Sequence, residues 1–491
     1  MILEVINHPY AYEMECLVRL FFPGERMTVV RRAGGPGERR IVTRLEESGG
    51  GATLCASAEL DGFAGERQAR IHPTGPDWKW EAQRRLSTLL FDLLCQAEGI
   101  RPPWGILTGV RPVNLCRKLT GRFGFSETQL AGALSRDYRV LPEKVSLALS
   151  ILGAQREILE ADKPGSYSLY VGIPFCPTRC LYCSFVSHAI DKAAKLLPDY
   201  LRLLGEELAC IGRLAAELEL NLRSIYIGGG TPTTLSPEQL HALLGEIERH
   251  FPVSRALEYT VEAGRPDSIT AEKLGVLKSF GVSRISVNPQ TMDDAILQAI
   301  GRAHTTAQTL EAVALAREAG FDAINMDLIA GLPGQTPESF ADTLSRVMAL
   351  GPENLTVHTL TVKRSSDLRW KEGAFKREGD GLDHLLECTR QRLGREGYAP
   401  YYLYRQQGTP QNLENVGYCK PGKEGLYNIY SMEDAHTILA AGAGGVTKLC
   451  APSGAIKRLF NYKYPYEYLS GFENLLRRKQ AAADFFKKDG A

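Results

Sequence analysis

Six short apolar segments recur between residues 168 and 361, each followed by a glycine or polar residue and then by a helix-like pattern. The segments are 168–174, 224–227, 258–261, 284–287, 323–329 and 354–360. The helical patterns carry capping signals, such as Ser236 and Gln239 at the start of one and Gly281 after the end of another. Because parallel strands need a crossover helix between them, six consecutive units predict parallel strands curved into a partial barrel. Functional residues of such a barrel lie at the carboxyl ends of its strands.

Three cysteines follow the first of these segments. Cys176, Cys180 and Cys183 have C-x3-C-x2-C spacing. Three thiolates this close together repel one another unless a metal ion or a cluster neutralises them. Zinc would need a fourth ligand, whereas a [4Fe-4S] cluster held by three cysteines has one iron open to a small molecule. From the spacing alone, a zinc knuckle or a redox-active C-x2-C pair is the alternative.

The residues around the cysteines resemble a known family. Tyr182 precedes the last cysteine, and residues 170–175 read Y-V-G-I-P-F. This is similar to the Y-x-x-I-P-F sequence of the oxygen-independent coproporphyrinogen III oxidase/dehydrogenase group of the radical S-adenosylmethionine (SAM) superfamily, in particular its HemZ-like branch. The resemblance implies a radical SAM (β/α)6 partial TIM barrel. It also implies a [4Fe-4S] cluster whose open iron binds SAM, and whose electron cleaves SAM to a 5′-deoxyadenosyl radical.

The same resemblance assigns roles to residues near the ends of the predicted strands. The glycine run after the second strand would hold the SAM amino group, and Glu262 and Gln290 would contact the ribose. Arg302 would pair with the SAM carboxylate, Asp327 would lie near ribose and cluster, and Leu360 would line the adenine. Taken singly, each is an ordinary turn, capping or solvated residue. The predicted cofactor-binding residues are Tyr170, Gly229, Gly230, Thr231, Glu262, Gln290, Arg302, Asp327 and Leu360, and the predicted metal ligands are Cys176, Cys180 and Cys183.

Two positions depart from the best-known pattern of this family. That pattern has histidine where the present chain has Gly172, and a further cysteine where it has Phe185. The extra cysteine is tied to the use of a second SAM molecule, so its absence puts full oxidative decarboxylation in doubt. Phenylalanine at this place is shared with the related heme chaperones.

The first 160 residues predict a different architecture, an N-terminal α+β domain at 1–160. Alternating or apolar runs predict strands at 2–6, 13–21, 27–31, 41–44 and 52–58. Helical periodicity follows at 80–97, 127–134 and 142–159. Between the first two helices, residues 104–112 form a loop punctuated by glycine and proline, which we interpret as a structural turn.

The remaining chain is predicted to comprise the radical SAM partial barrel at 165–364 and a small C-terminal α+β domain at 365–491. Eleven of the 20 tyrosines fall between Tyr398 and Tyr468. With Arg405, Lys420 and Arg458 nearby in sequence, they would suit a flat tetrapyrrole with carboxylate arms. Packing of a small β-containing core is an equally good interpretation of these tyrosines.

Charge and composition exclude some functions. Lys and Arg number 58 against 57 Asp and Glu, so there is no overall electrostatic attraction for nucleic acid or an anionic membrane. No apolar run is long enough for membrane insertion, and the start lacks a signal-peptide pattern, so we expect a cytoplasmic protein. Its cysteines should be mostly reduced. Seven that stand singly are expected in the core: Cys16, Cys55, Cys95, Cys116, Cys210, Cys388 and Cys450.

The resemblance implies oxidative decarboxylation of coproporphyrinogen III propionates to vinyl groups, which forms protoporphyrinogen IX for heme biosynthesis. The cluster and SAM would do the chemistry, with no further catalytic side chain. The partners would be a tetrapyrrole, coproporphyrinogen III or heme, and a reducing electron donor such as flavodoxin or ferredoxin. Two alternatives are a heme-binding chaperone or carrier without turnover, and a radical SAM enzyme acting on heme itself.

Overall fold

The computed structural model describes residues 1–31, 39–48, 50–72, 76–183, 188–361, 381–406, 409, 412–451 and 453–489 of the 491-residue chain. They form two compact units. The first comprises Met1–Leu152 and Tyr404–Glu414, and the second comprises Gly153–Leu403 and Asn415–Ala491. Within these ranges, no helix combines the length and the apolar character that crossing a membrane requires.

The first unit is a five-stranded sheet with helices. In chain order its elements are β1 (Ile2–Ile6), α1 (Ala11–Phe21), β2 (Thr28–Val30), β3 (Arg40–Ser48), β4 (Gly51–Leu60), β5 (Phe63–Ile71), α2 (Trp78–Glu98), α3 (Pro112–Phe123), α4 (Glu127–Asp137) and the first part of α5 (Pro142–Glu160), which continues past Leu152 into the second unit. The strand order is β2-β1-β3-β4-β5. Alternate residues of β4 are buried, and α1 and α2 contribute to the same apolar core. This α+β arrangement agrees with the strand and helix patterns in the sequence.

One predicted strand, at 13–21, is wrong, because these residues belong to helix α1. Met14, Leu17, Val18 and Phe21 are all buried, at the spacing of three and four residues that places side chains on one helix face. Apolar residues are so frequent in this segment that it fits the alternating pattern of a strand as well as the pattern of a helix. Only packing against the rest of the unit decides between strand and helix. Strand β5 and helix α3 were not predicted, whereas the turn before α3 is confirmed.

The second unit contains the predicted barrel. Its helices and strands are β6 (Ser166–Ile173), β7 (Phe175–Cys176), β8 (His188–Ala189), α6 (Ile190–Ala193), α7 (Leu197–Glu217), β9 (Asn221–Gly229), α8 (Pro237–His250), β10 (Glu258–Glu262), α9 (Ala271–Ser279), β11 (Arg284–Ser286), α10 (Asp294–Ala299), α11 (Thr306–Glu318), β12 (Ile324–Ala330), α12 (Pro337–Ala349), β13 (Asn354–Thr359), α13 (Leu382–Arg395), β14 (Ala399–Arg405), β15 (Glu414–Cys419), α14 (Leu426–Glu433), β16 (Thr437–Ala441), β17 (Val446–Cys450), β18 (Ile456–Phe460), α15 (Pro465–Ser470) and α16 (Phe472–Asp489). Strands β6, β9, β10, β11, β12 and β13 are parallel neighbours, which confirms the six predicted βα units and the partial barrel.

This sheet continues past both ends of the barrel. Strand β15 pairs antiparallel with β13, and β14 follows it. At the other edge, β16 pairs parallel with β6 and is continued by the antiparallel strands β17 and β18. Strands from beyond residue 365 therefore share one sheet with the barrel. The division into domains 1–160, 165–364 and 365–491 stays a prediction of separate folding units.

Capping fixes where the barrel helices begin. Ser236 Oγ accepts a hydrogen bond from the Gln239 amide at 3.3 Å, and Gln239 Oε1 accepts one from the Ser236 amide at 2.9 Å. Reciprocal bonds of this kind also start α11 and α12. Because each helix begins at a defined residue, the loop between strand end and helix is held in place.

The single cysteines are less buried than predicted. All 11 cysteines have free thiols, as expected for a reduced chain. Of the seven assigned to the core, only Cys116 is buried, and Cys388 is exposed on α13. Cysteine is small enough to occupy the border of an apolar face, so its apolar neighbours in sequence do not ensure burial.

Candidate cofactor site at the carboxyl ends of the barrel strands

The three predicted metal ligands lie on one loop after β6. Strands β7 and β8 pair through Phe175 with His188 and Cys176 with Ala189, which joins the two ends of the loop. The amide of Leu181 donates to the carbonyl oxygen of Ile300 at 2.9 Å. This bond attaches the middle of the loop to the segment that follows α10. Phe185, the position of the second departure, lies outside the described residues.

The thiols lie beside hydrogen-bond donors. Cys176 Sγ is 3.5 Å from Thr231 Oγ1, and buried Cys180 Sγ is 3.9 Å from guanidinium nitrogens of both Arg265 and Arg302. Both guanidinium groups therefore place positive charge beside this thiol. Among the described residues, no three His, Cys, Asp or Glu side chains are close enough to hold one metal ion. A zinc ion needs its sulfur ligands at about 2.3 Å from a single centre. A cluster instead binds each cysteine at a different iron.

The glycine run at the end of β9 packs against the entry to the cysteine loop. A Cβ atom on Gly230 would lie 2.6 Å from the carbonyl oxygen of Phe175, so no larger residue fits there. The Thr231 amide donates to the same oxygen at 2.7 Å. Gly229 has φ of +106°, and its amide donates to Glu262 Oε2 at 3.2 Å. The glycines are therefore required by close packing of two backbone segments, a reason that the sequence did not reveal.

Glu262, at the end of β10, is a carboxyl group held in place by two donors. Tyr226 donates its hydroxyl to Glu262 Oε1 at 2.6 Å, and the Gly229 amide binds the other oxygen. Burial raises the pKa of Glu262 to about 7, against the lowering effect of these hydrogen bonds. Near neutral pH the group therefore exists in both protonation states. Either state can bond to a ribose hydroxyl, and contact of Glu262 with the ribose stays a prediction.

Gln290 combines backbone strain with an unpaired polar atom. Its φ is +68°, in the left-handed region, and its backbone bridges to β12 through Asp327 O and Ile329 N. Its side-chain oxygen Oε1 is buried without a hydrogen-bond partner in the part of the chain that the structure describes. An unpaired buried acceptor costs about 1–3 kcal/mol, and strained backbone adds to this. Such an atom fits a site that a ligand hydroxyl completes.

Asp327, on β12, has partners that keep it ionised. Asn325 Nδ2 donates to Asp327 Oδ1 at 2.8 Å, and His358 Nε2 lies 3.6 Å from Oδ2. Burial alone would raise the pKa of Asp327, but the hydrogen bonds and the charge of His358 together lower it. Glu262 and Asp327 are thus two carboxyl groups at one end of the barrel with opposite pKa shifts.

Arg302 is fully engaged by the protein itself. Its Nη2 donates to the carbonyl oxygens of Gly264 and Asn288 at 2.9 and 2.7 Å, and Nη1 donates to Tyr182 Oη at 2.9 Å. Nε donates to His304 Nδ1 at 3.3 Å, and Nη1 also lies 3.9 Å from Cys180 Sγ. All five N–H groups of the guanidinium therefore have partners. Arg302 joins the cysteine loop to two strand ends. Pairing with a SAM carboxylate would require some of these bonds to open, so this role stays a prediction.

Tyr170 and Leu360 complete the predicted set. Tyr170 lies opposite Tyr226 on the neighbouring strand, and Tyr427 of α14 stacks on Tyr226 with ring centroids 4.4 Å apart. Leu360 is buried in an apolar cluster that includes Ile329 and, from the cysteine loop, Tyr182. The structure thus brings every predicted residue to the same end of the barrel or to the cysteine loop.

Several residues of this site escaped the sequence interpretation. They are Arg265, His304, Tyr226, His358 and Tyr427. Tyr226 had a usable signal, since it stands two residues before the glycine run on a predicted strand. Arg265 had none, because Cys180 lies on another βα unit.

The departure at Gly172 has a structural reason. A Cβ atom there would lie 3.0 Å from the carbonyl oxygen of Ala443, and the Gly172 carbonyl accepts the Tyr200 hydroxyl at 2.7 Å. The loop after β16 therefore occupies the space that a histidine side chain would need.

Comparison with known proteins agrees with this geometry. The family model of the radical SAM superfamily matches residues 170–347. An oxygen-independent coproporphyrinogen-III oxidase-like protein, HemZ of Bacillus subtilis, is 41% identical over 408 residues, covering 81% of this chain and 80% of HemZ. The heme chaperone HemW of Haemophilus influenzae is 34% identical, covering 62% of this chain and 76% of HemW.

A solved structure shows the same fold. The coproporphyrinogen III oxidase HemN of Escherichia coli, a radical SAM enzyme, superposes with a TM-score of 0.53 at 25% sequence identity. The match covers 65% of this chain and 72% of HemN. It supports the partial barrel that the βα repeat predicted.

Proposed function

Because this chain belongs to the radical SAM superfamily, in its HemZ-like group, we propose that it converts coproporphyrinogen III propionates to vinyl groups by oxidative decarboxylation. Radical SAM proteins use a [4Fe-4S] cluster and SAM. The product of two such conversions would be protoporphyrinogen IX. The observation that carries the proposal is the 41% identity to HemZ over 81% of this chain.

Specific residues would hold the two cofactors. Cys176, Cys180 and Cys183 would ligate three irons, and the positive charges of Arg265 and Arg302 beside Cys180 would offset the negative charge of the thiolates. The bound cluster and SAM would together supply one-electron chemistry, the removal of a hydrogen atom from an unactivated carbon.

The chain itself positions the reacting groups. Gln290 Oε1, unpaired among the described residues, and the Glu262 carboxyl would bind the two ribose hydroxyls. The rings of Tyr170, Tyr226 and Tyr427, which pack against one another, would keep water from this side of the site. Because backbone hydrogen bonds fix the cysteine loop to the strand ends, cofactor binding would require little reorganisation.

A heme-binding carrier is the second candidate. The similarity to HemW favours it, and so does Phe185, the residue that the resemblance shares with heme chaperones. A carrier would bind heme in a fixed ratio and release no 5′-deoxyadenosine.

One anaerobic experiment separates these functions. Reconstituted, reduced protein is incubated with SAM and coproporphyrinogen III, and 5′-deoxyadenosine and tetrapyrroles are separated by chromatography. Dithionite serves as reductant, and a protein donor such as flavodoxin or ferredoxin is tested beside it. A Cys183→Ala variant should give no product, whereas Cys388→Ala, which changes an exposed cysteine, should behave like the wild type.

The outcomes are distinct. Vinyl product with a matching amount of 5′-deoxyadenosine would support the proposed function. Deoxyadenosine without vinyl product would retain the radical chemistry and reject this substrate. Neither product, together with tight heme binding, would favour the carrier.

A further inference from the structure

The backbone that leads into the cysteine loop is held through four consecutive carbonyl oxygens. Those of the three residues before Cys176 each accept a hydrogen bond from a backbone amide, at 2.7 to 2.9 Å. The pairs are Ile173 with Gly230, Pro174 with His188, and Phe175 with Thr231. The carbonyl oxygen of Gly172 instead accepts the hydroxyl of Tyr200 at 2.7 Å. Tyr200 of α7 is therefore the side chain that completes this set of four hydrogen bonds.

The Tyr200 hydroxyl lies where the pairing of two strands ends. The register of β6 with β16 stops at Val171 and Ala441. Beyond it, the hydroxyl donates to Gly172 O and accepts the Ala443 amide at 2.8 Å. Because a carbonyl oxygen only accepts and an amide only donates, the direction of both hydrogen bonds is fixed. The hydroxyl thus extends the bonding between these two strands by one residue.

Close packing holds Tyr200 in this position. Its side chain is fully buried, and its ring packs edge-on against that of Phe175, with centroids 5.3 Å apart. Gly442 has φ of +87°, and a Cβ atom there would lie 2.7 Å from Tyr200 Oη. Tyr200 therefore contacts the segment before Cys176 at two points, through its hydroxyl and through its ring.

A buried carboxylate on the same helix holds the loop after β16. Glu207, seven residues after Tyr200 on α7, is completely buried. Its oxygens have four partners at 2.8 to 3.2 Å, which are the Gly442 amide, Asn461 Nδ2, the Tyr468 hydroxyl and Lys479 Nζ. The charge of Lys479 balances the carboxylate, and the other three partners satisfy its oxygens. Helix α7 thus joins the C-terminal segments to the end of β6.

We infer that Tyr200 is a positioning residue for the iron-sulfur cluster. It holds the backbone before Cys176 from the side of the C-terminal strands, and Glu207 holds the loop that orients its hydroxyl. The inference rests on the proposed ligation of the cluster by Cys176, Cys180 and Cys183. Groups that orient a metal ligand without touching the metal contribute strongly to its retention. Loss of the Tyr200 hydroxyl should therefore allow Cys176 to leave the cluster more readily.

Iron release from the reconstituted full-length protein tests this role. Under anaerobic conditions the protein is mixed with bathophenanthroline disulfonate, whose absorbance reports the iron released. Tyr200→Phe keeps the ring and removes the hydroxyl, and it should release iron about tenfold faster than the wild type.

Tyr468→Phe is the matched control. It also removes a buried hydroxyl of this network, but that hydroxyl donates to Glu207 and not to Gly172. Its iron release should stay close to that of the wild type, even where urea denaturation shows that both variants lose similar stability. Equal acceleration in the two variants would indicate a merely structural role and overturn the inference, as would acceleration in neither.

Hydrogen exchange of the cofactor-free protein gives a second readout. Amides of residues 172–176 should exchange about tenfold faster in Tyr200→Phe than in the wild type, whereas those of β10 should not change. Unchanged exchange at 172–176 would refute the inference. If Tyr200→Phe does not fold, the wild type decides: its Ala443 amide should exchange as slowly as those of β16, and exchange as fast as at exposed Gly444 would refute the hydrogen bond.

Failure of this inference differs from failure of the proposed cofactor site. A wild type that assembles no cluster would reject the proposed ligands and this inference with them. A wild type that assembles the cluster, with Tyr200→Phe releasing iron at the same rate, would reject the role of Tyr200 alone.

Discussion

Replacing Glu262 with glutamine removes a carboxyl group whose pKa burial raises from 4.5 to about 7. Above pH 7 the carboxylate is ionised in both the folded and the unfolded chain, and the folded protein bears the full cost of a buried charge. Below pH 4.5 the group is neutral in both states, and the cost disappears. The free energy of unfolding of the cofactor-free wild type should therefore fall as the pH rises between these values.

The size of this effect follows from the pKa difference. At about 1.4 kcal/mol per pKa unit, the rise from 4.5 to about 7 corresponds to about 3 kcal/mol. Glutamine can keep both neighbours, since its oxygen can accept the Gly229 amide and its NH₂ group can donate to Tyr226 Oη. Glu262→Gln should thus equal the wild type near pH 4.5 and exceed its stability by about 3 kcal/mol above pH 7.

Urea denaturation from about pH 5 to about pH 8, followed by circular dichroism, measures this difference. Glu248→Gln, which makes the same substitution at an exposed position on α8, is the control. Stabilisation by Glu262→Gln should be accompanied by weaker SAM binding. A difference between Glu262→Gln and the wild type that does not grow with pH would refute the reasoning.

Three other substitutions test separate parts of the site. Cys180→Ala should prevent iron and sulfide uptake on reconstitution, whereas Cys388→Ala, at an exposed position, should not. Gly230→Ala should destabilise the protein by about 2 kcal/mol or more in urea, because its Cβ would lie 2.6 Å from a carbonyl oxygen. A Cβ atom added at Gly245 would meet no atom within 4 Å, so the control Gly245→Ala should leave the free energy of unfolding unchanged or raise it. Gln290→Leu removes the unpaired acceptor, so it should stabilise the cofactor-free protein by about 1–3 kcal/mol and weaken SAM binding about tenfold, measured by equilibrium dialysis.

The barrel was predictable because its signals are local. Each strand is a short apolar run, and a capping residue such as Ser236 marks where the following helix begins. Six units could therefore be predicted without knowing which strands pair. The segment 13–21 failed because its apolar residues satisfy strand and helix periodicity alike. The addition of β14 to β18 to the barrel sheet could not be foreseen, since it depends on pairing between distant strands.

The site was predictable to the extent that it lies at strand ends. Glu262, Gln290 and Asp327 could be selected as candidates because each follows or belongs to a recognisable strand. What the sequence could not show is which groups meet across units. The two arginines beside Cys180 come from different loops, and the five partners of Arg302 are distributed over several segments.

The most direct test of this cofactor site is the electron paramagnetic resonance spectrum of the reconstituted, reduced protein before and after addition of SAM. We expect a [4Fe-4S] signal that changes when SAM is added, because SAM would bind the cluster. In Gln290→Leu this change should need higher SAM concentrations. A signal that saturating SAM leaves unchanged, or a protein that takes up zinc in place of iron and sulfide, would contradict it.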